Sequence, residues 1–269
     1  MSRTNSDANA VSGFLVINPR SGPGDSADEL RAAAERIGIQ THLLGEGEDP
    51  SEVAREAPEG PLGIAGGDGS LAAVAEVALE RDSPFVVVPS GTLNHFARDL
   101  GLDRNDPEGA LRAFSGRETR VDVGRINDRL FLNNVSLGLY ARLVHEEEDG
   151  VGFARLRALG MLLRRPRGLG VTVDGDRAHA RVLVVSNNAY KLDVLSIGQR
   201  ERIDEGVLHL YIAHGFLPRS WEERSGTEFV VDARRGHLRA AIDGEPEMLE
   251  TPLAFRVEPG ALRLLLPEG

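Results

Sequence analysis

The 269-residue chain has no cysteine, one lysine, one tryptophan and an aromatic content of only 5%. The lack of cysteine excludes a disulfide scaffold, zinc–thiolate sites and a thiol nucleophile. Lys191 is the single lysine among 31 basic residues, and no GxxxxGK[ST] string occurs, so a lysine-dependent P-loop is excluded. Phosphate charge would then have to be met by backbone N–H groups, by arginine or by a metal. No apolar run approaches the roughly 20 residues needed to span a bilayer, and the polar residues 1–12 lack the apolar stretch of a secretory signal. A net charge of −11 argues against a nucleic-acid partner, because a phosphate backbone demands a basic face. What is present, 41% hydrophobic and 27% charged residues, is ordinary for a soluble globular protein of one or two domains. A cytoplasmic protein is expected, with residues 1–12 as a flexible tail.

Up to about residue 120, apolar runs alternate with helical patterns. Phe14-Leu15-Val16-Ile17 reads as a buried strand that ends at Asn18-Pro19 and the loop Ser21-Gly22. Ser26 and Glu29 form a capping-box pattern, and Leu30, Ala33, Ala34 and Ile37 share one helical face before Gly38 stops it. Further strands are predicted at 41–44, 62–65 and 85–88. The third strand delivers the chain into Gly66-Gly67-Asp68-Gly69-Ser70, after which Leu71, Val74, Ala75 and Ala78 give helical spacing. The fourth runs into Ser90-Gly91-Thr92-Leu93-Asn94 and another helix, and Asp106-Pro107 starts one more, which Gly116 ends. Continuous apolar strands alternating with helices predict a parallel sheet covered on both faces, with ligands at the C-terminal strand ends.

Beyond residue 120 the pattern is β-rich and antiparallel. Hairpins are predicted around Asn127-Asp128, around Asp174-Gly175-Asp176 (171–173 with 180–185) and around Pro259-Gly260 (253–257 with 262–266). Strands are also expected at 207–213, 228–231 and 238–242, and one helix at 152–165. The expected architecture is an α/β nucleotide-binding domain at 13–120 and a β-sandwich substrate domain at 121–269, whose last residues pack back on the first.

Among the motifs, Gly66-Gly67-Asp68-Gly69-Ser70 is the strongest. Glycines allow a tight turn and close backbone approach to a ligand, and the following helix N-terminus offers free N–H groups to an anion. Asp68 is placed to orient a Mg²⁺ carried by nucleotide phosphates. An ordinary strand–helix turn with an acidic cap is the alternative. Gly91, Thr92 and Asn94 repeat the design at the next sheet position, and Asn18, Ser21 and Gly22 form a third polar loop. In the second half, Asp243-Gly244-Glu245 and Asp204-Glu205-Gly206 are acidic turns that solvated β-turn geometry explains equally well. The seven histidines show no metal-ligand spacing. The arginine-rich amphipathic stretch 155–167 suits either an anionic membrane surface or a water-facing covering helix.

Taken in order, these elements resemble the bacterial diacylglycerol kinase-like lipid kinase family. The matching strings are Asn18-Pro19 with Ser21-Gly22, Gly66-Gly67-Asp68-Gly69-Ser70, and Pro89-x-Gly91-Thr92-x-Asn94 with Phe96-Ala97. Phe131-x-Asn133, Glu205-Gly206-x-Leu208 and Asp243-Gly244-Glu245-Pro246 also match. The glycine-aspartate element alone is shared with NAD kinases and phosphofructokinases; the Gly-Thr-x-Asn-x-Phe-Ala string is the part that favours lipid kinases. Departures from the family pattern include His95, where the family commonly has Asp, Ala72-Ala73 in place of the usual Asn-Glu, and Glu205, which replaces Asp. The resemblance implies ATP bound between an α/β domain and a β-sandwich, with γ-phosphoryl transfer to a lipid hydroxyl in the presence of Mg²⁺. It further implies nucleotide contacts from Gly67 to Ser70 and Thr92, Glu245 as general base, and a structural Mg²⁺ held by Glu205 and the main-chain carbonyls of Arg202 and Val207. Its partners would be a lipid substrate and, peripherally, the inner face of the membrane; a homodimer is compatible with the sequence. A kinase of a soluble substrate such as NAD, and a catalytically silent nucleotide- or lipid-binding regulator, are the alternatives.

Overall fold

A computed structural model describes residues 12–21, 25–91, 94–138, 168–193, 196–214 and 221–268. The tail 1–12 therefore lies almost wholly outside the described residues, and the predicted helix at 152–165 lies entirely outside them. Two compact units form, one of residues 1–121 with 261–269 and the other of residues 122–260.

The first unit runs β1 (Phe14–Ile17), α1 (Asp25–Arg36), β2 (Gln40–Leu43), α2 (Pro50–Arg55), β3 (Leu62–Gly66), α3 (Asp68–Glu80), β4 (Phe85–Pro89), α4 (His95–Asp99) and α5 (Pro107–Ala110). A 3-10 turn over Leu111–Ser115 follows. Strands β2, β1, β3 and β4 lie side by side, all parallel, and Leu264 and Leu265 near the chain's end add to β4 in parallel. Strands β3 and β4 are buried along their whole length, as the continuous apolar runs require. Helix α1 begins at Asp25, so Ser26 sits inside it instead of capping it. Ala27, Leu30, Ala33 and Ala34 are buried there, but Ile37 lies past the helix end and is 41% exposed. Gly38, with φ of 91°, makes the left-handed stop, and Ile39 supplies the buried contact in its place. Helix α2, capped by Asp49, has too short an apolar pattern to be visible in the sequence. Asp106 caps α5 as expected, accepting from the Gly109 N–H.

The second unit contains β6 (Arg129–Phe131), β7 (Asn134–Gly138), β8 (Val171–Val173), β9 (Asp176–Ala178), β10 (Val182–Asn187), β11 (Tyr190–Asp193), β12 (Ser196–Arg200) and β13 (Leu208–Ala213). It continues with β14 (Trp221–Gly226), β15 (Glu228–Ala233), β16 (His237–Ile242) and β17 (Glu245–Glu250). Strands β5 (Arg117–Ile126) and β18 (Leu253–Leu266) have residues in both units. An antiparallel sheet in the order β14-β13-β10-β7-β16-β17 faces a second one built of β18, β15, β8 and β9, with β5 and β6 paired at its side. One apolar core joins the two, drawing Val135, Leu183, Leu210 and Ile242 from the first sheet and Val173, Phe229, Val231 and Phe255 from the second. The rings of Phe131 and Phe255 meet edge-on at 6.4 Å. This is a sandwich, and with the parallel α/β unit it gives the expected fold class.

Three sequence expectations are corrected here. The hairpin partner of β8 is the short β9, while 182–187 joins the other sheet, because its outer neighbours are β7 and β13. Residues 253–266 form one continuous strand and not a hairpin; Pro259-Gly260 is passed without reversal. The run after Asn127-Asp128 breaks at Leu132-Asn133 into β6 and β7, which belong to different sheets. Among the described residues no helix is long and apolar enough to cross a membrane.

Candidate active site

In the first unit the polar loops gather at the C-terminal ends of β1, β3 and β4, which are neighbours in the sheet. Asn18 follows β1, and its Nδ2 donates to Ser70 Oγ at 2.9 Å. The Gly67 N–H donates to Ser21 Oγ at 3.2 Å, so the first polar loop is tied to the glycine turn at two points. Gly67 opens α3 without a side-chain cap, which leaves the first amides of a 13-residue helix directed out of its end. Gly91 packs directly on this turn: a Cβ there would stand 2.5 Å from Gly67 Cα and 2.9 Å from Asn94 Oδ1. At Gly66 a Cβ would meet Ser70 Cβ at 3.0 Å. Glycine at 91 is therefore required by the close approach of two main chains, independently of any turn conformation.

Asp68, in the first turn of α3, spans to the second loop. Its Oδ2 accepts from the His95 N–H at 3.2 Å and its Oδ1 from the Phe96 N–H at 3.3 Å, so the carboxylate serves the open N-terminus of α4. Asn94, in the left-handed region at φ of 50°, precedes that helix. It folds back to accept from the Gly91 N–H at 3.0 Å and to donate to the Gly91 carbonyl. Ser90 follows β4, and its Oγ is the one buried side-chain polar atom without a hydrogen-bond partner among the described residues. Of the expected nucleotide contacts, Asn18, Ser21, Gly66, Gly67, Asp68, Gly69, Ser70, Gly91 and Asn94 thus fall on one sheet edge; Gly22 and Thr92 lie outside the described residues.

The second unit organises its polar residues differently, around buried charge. Asp243 is 8% exposed, and with Gly244 it forms the two-residue turn between β16 and β17, at φ of 48° and 96°. Both positive φ values match the primed turn that suits strand twist. Its carboxylate accepts from the N–H groups of Leu132 (2.7 Å), Asn133 (2.7 Å) and Asn134 (3.0 Å). Glu245 follows, exposed, as the first residue of β17. Asp122, 2% exposed, accepts from Gly206 N–H at 2.6 Å and Gly260 N–H at 2.8 Å. Glu205 accepts from the Ala189 N–H at 3.1 Å, and its own N–H donates to Asn188 Oδ1 at 2.9 Å. His209 lies 3.6 Å from Glu205 Oε2 and bonds Glu223 at 2.8 Å. The Arg202 side chain pairs with Asp204, and the Val207 carbonyl accepts from Asn188 N–H. Among the described residues no cluster of three or more His, Asp or Glu capable of holding a metal occurs.

Composition and spacing pointed to none of Asp122, Asn187, Asn188 and Arg200, all of them buried. A polar residue beside an apolar run carries no periodic signature, and only the strand ends that meet in space reveal its role.

The two strand–loop–helix turns lie side by side at the C-terminal ends of β3 and β4, with no lysine between them. Comparison with known proteins points to a kinase-like chain. The family model for the diacylglycerol kinase catalytic domain matches residues 12–126. A protein named probable lipid kinase YegS-like from Chromohalobacter salexigens is 28% identical, over 95% of this chain and 93% of its own length. A diacylglycerol kinase from Staphylococcus aureus is 32% identical over 49% of this chain and 45% of its own. A crystal structure of a diacylglycerol kinase from Bacillus anthracis shares the fold, with a TM-score of 0.70 at 17% identity, over 95% of this chain and 96% of that one. Residues 12–126 thus resemble the diacylglycerol kinase catalytic domain, and nearly the whole chain resembles proteins named as probable lipid kinases.

Proposed function

We propose that this chain is a lipid kinase that transfers the γ-phosphoryl group of ATP to a lipid hydroxyl at the inner face of the membrane. The observation that carries the reading is the contact of the Gly67 and Gly91 main chains at the C-terminal edge of a parallel sheet, in a chain related over nearly its whole length to lipid kinases. Phosphoryl transfer needs mainly alignment and charge stabilisation, which fixed backbone amides supply without a lysine. Gly67, Gly69 and Ser70, at the uncapped start of α3, with Asn18 and Ser21 bracing them, are proposed to hold the triphosphate. The unpartnered Ser90 hydroxyl supports the same location, since a buried donor without a partner is one that a ligand oxygen would satisfy.

The residues also suit a divalent cation. Asp68, which accepts hydrogen bonds from the His95 and Phe96 N–H groups, brings to the glycine turn a carboxylate oxygen of the type a hard cation takes. When bound, Mg²⁺ would neutralise charge on the phosphate oxygens. Glu205 with the carbonyls of Arg202 and Val207 is an all-oxygen set of the type a hard cation takes, and we assign it a structural role. Glu245, exposed at the head of β17 and carried by a turn that Asp243 locks, is proposed as the general base that removes the hydroxyl proton.

The test is incubation with γ-labelled ATP, Mg²⁺ and either a mixed lipid extract or NAD. Label in the organic phase is the expected result. Label retained in the aqueous phase on NAD would replace lipid by a soluble acceptor, and ATP binding without transfer to either would mark a silent regulator.

A further inference from the structure

We infer that Arg200 is a positioning residue for Glu245, acting through the backbone segment 132–134. The inference rests on the assignment of Glu245 as general base and adds to it a residue remote from the turn in sequence.

Arg200 ends β12 and is 3% exposed. Its Nη1 donates to the carbonyls of Leu132 (2.7 Å) and Asn187 (2.9 Å), and its Nη2 donates to Asn133 Oδ1 (2.9 Å). The guanidinium lies over the Tyr190 ring, 5.6 Å from its centre. A buried guanidinium is costly unless its donors are met, and here two of these three bonds go to the segment that joins β6 to β7 and the third to the end of β10.

The same segment is gripped from its other side by Asp243. That carboxylate takes the N–H groups of residues 132, 133 and 134, and the Asn134 carbonyl accepts the Asp243 N–H at 2.9 Å. Asn187 closes the remaining places, its N–H donating to the Asn133 carbonyl and its Nδ2 to the Leu132 carbonyl at 3.2 Å. Amides and carbonyls of one short segment are thus held by an anion on one side and a cation on the other. Glu245 is two residues from Asp243, across a turn with no slack, so displacement of residues 132–134 moves the turn that presents it. A misplacement of about 1 Å is enough to cost a rate factor near 100 in a reaction governed by alignment. Charge alone does not explain the choice of side chain. A lysine carries its donors on one nitrogen, whereas here the acceptors are divided between Nη1 and Nη2 of a rigid planar group.

The test compares Arg200→Lys, Glu245→Gln and the double variant in the full chain. Arg200→Lys is expected to lower transfer of labelled phosphate from ATP to a mixed lipid extract about tenfold or more in kcat, with KM for ATP changed less than about twofold. Hydrogen–deuterium exchange at the Asn133 and Asn134 amides should quicken at least about tenfold. In the Glu245→Gln background Arg200→Lys should cost less than about threefold, because the group it aims is gone. Losses that multiply, or unchanged exchange at both amides, would overturn the positioning role while leaving the base in place. Wild-type turnover in Glu245→Gln would remove the base and this inference together. If Arg200→Lys does not fold, Asn133→Ala, which deletes one of the three acceptors, carries the same measurements.

Discussion

In the first unit the candidate site is made of main chain and small side chains, Gly67 against Gly91 and Ser70 against Asn18, whereas in the second unit the turns are fixed by buried charge, Asp243, Asp122 and Arg200. The difference suits the roles proposed for each, a polyphosphate in the first unit and a general base in the second. A polyanion is received best by many weak donors that leave room for it, so side chains are kept short and glycine lets the loops touch. A single carboxylate that must stand at one place needs its own turn immobilised, and a buried anion with three amide donors does that with little freedom left. Precision is therefore reached by subtraction of side chains in one unit and by their addition in the other.

The comparison is broken most severely at Glu245. Glu245→Gln keeps the side chain's size and removes the carboxylate proposed as base, so kcat should fall roughly 10²-fold or more while calorimetric ATP affinity stays near wild type. Asp243→Ala should instead act on the fold. Three N–H groups, two of them buried, lose their acceptor, at about 1–3 kcal/mol for each buried one before relaxation, so urea unfolding should show a loss of about 3 kcal/mol. In the first unit, Gly91→Ala drives a methyl into the Gly67 backbone at 2.5 Å, where neither side is a flexible side chain. We expect ATP affinity to drop about tenfold and stability to fall by about 1–3 kcal/mol, read by calorimetry and thermal melting. Gly67→Ala is the sharper control, because its nearest neighbour is 3.8 Å away and the fold should survive.

The smallest effect lies away from both sites. Arg263 bonds both oxygens of Glu118, at 2.9 and 2.8 Å, and holds that carboxyl below its usual range. A lowered folded-state value means stability that is present above the ordinary carboxylate pKa and is lost as pH falls through the lowered one. Glu118→Gln should therefore flatten the melting temperature against pH between about 3 and 5, with little change near neutrality beyond a modest loss.

How much of this could be read from the chain alone differs by region for the same physical reason. The strands β1, β3 and β4, the helix after Gly67 and the cap at Asp106 are local patterns of burial and turn chemistry, and they stand where the residues put them. The short helix α2, the split at Leu132-Asn133 and the strand that runs straight through Pro259-Gly260 were not legible, because partners far along the chain decide them. The loop residues of the glycine turns could be named, but not the grip of Asp68 on the amides of His95 and Phe96, nor the need for glycine at 91.

The order of residues by itself determined the parallel α/β half, the antiparallel half and the lack of a P-loop lysine, since these depend on periodicity and composition. Only the tertiary structure decided which carboxylates are buried, which amides they take and how Arg200 reaches residues 132–134 from a strand nearly seventy positions later. Hydrogen bonds between distant segments leave no trace in local spacing; they exist only once two sheets have closed on a shared core and shut water out.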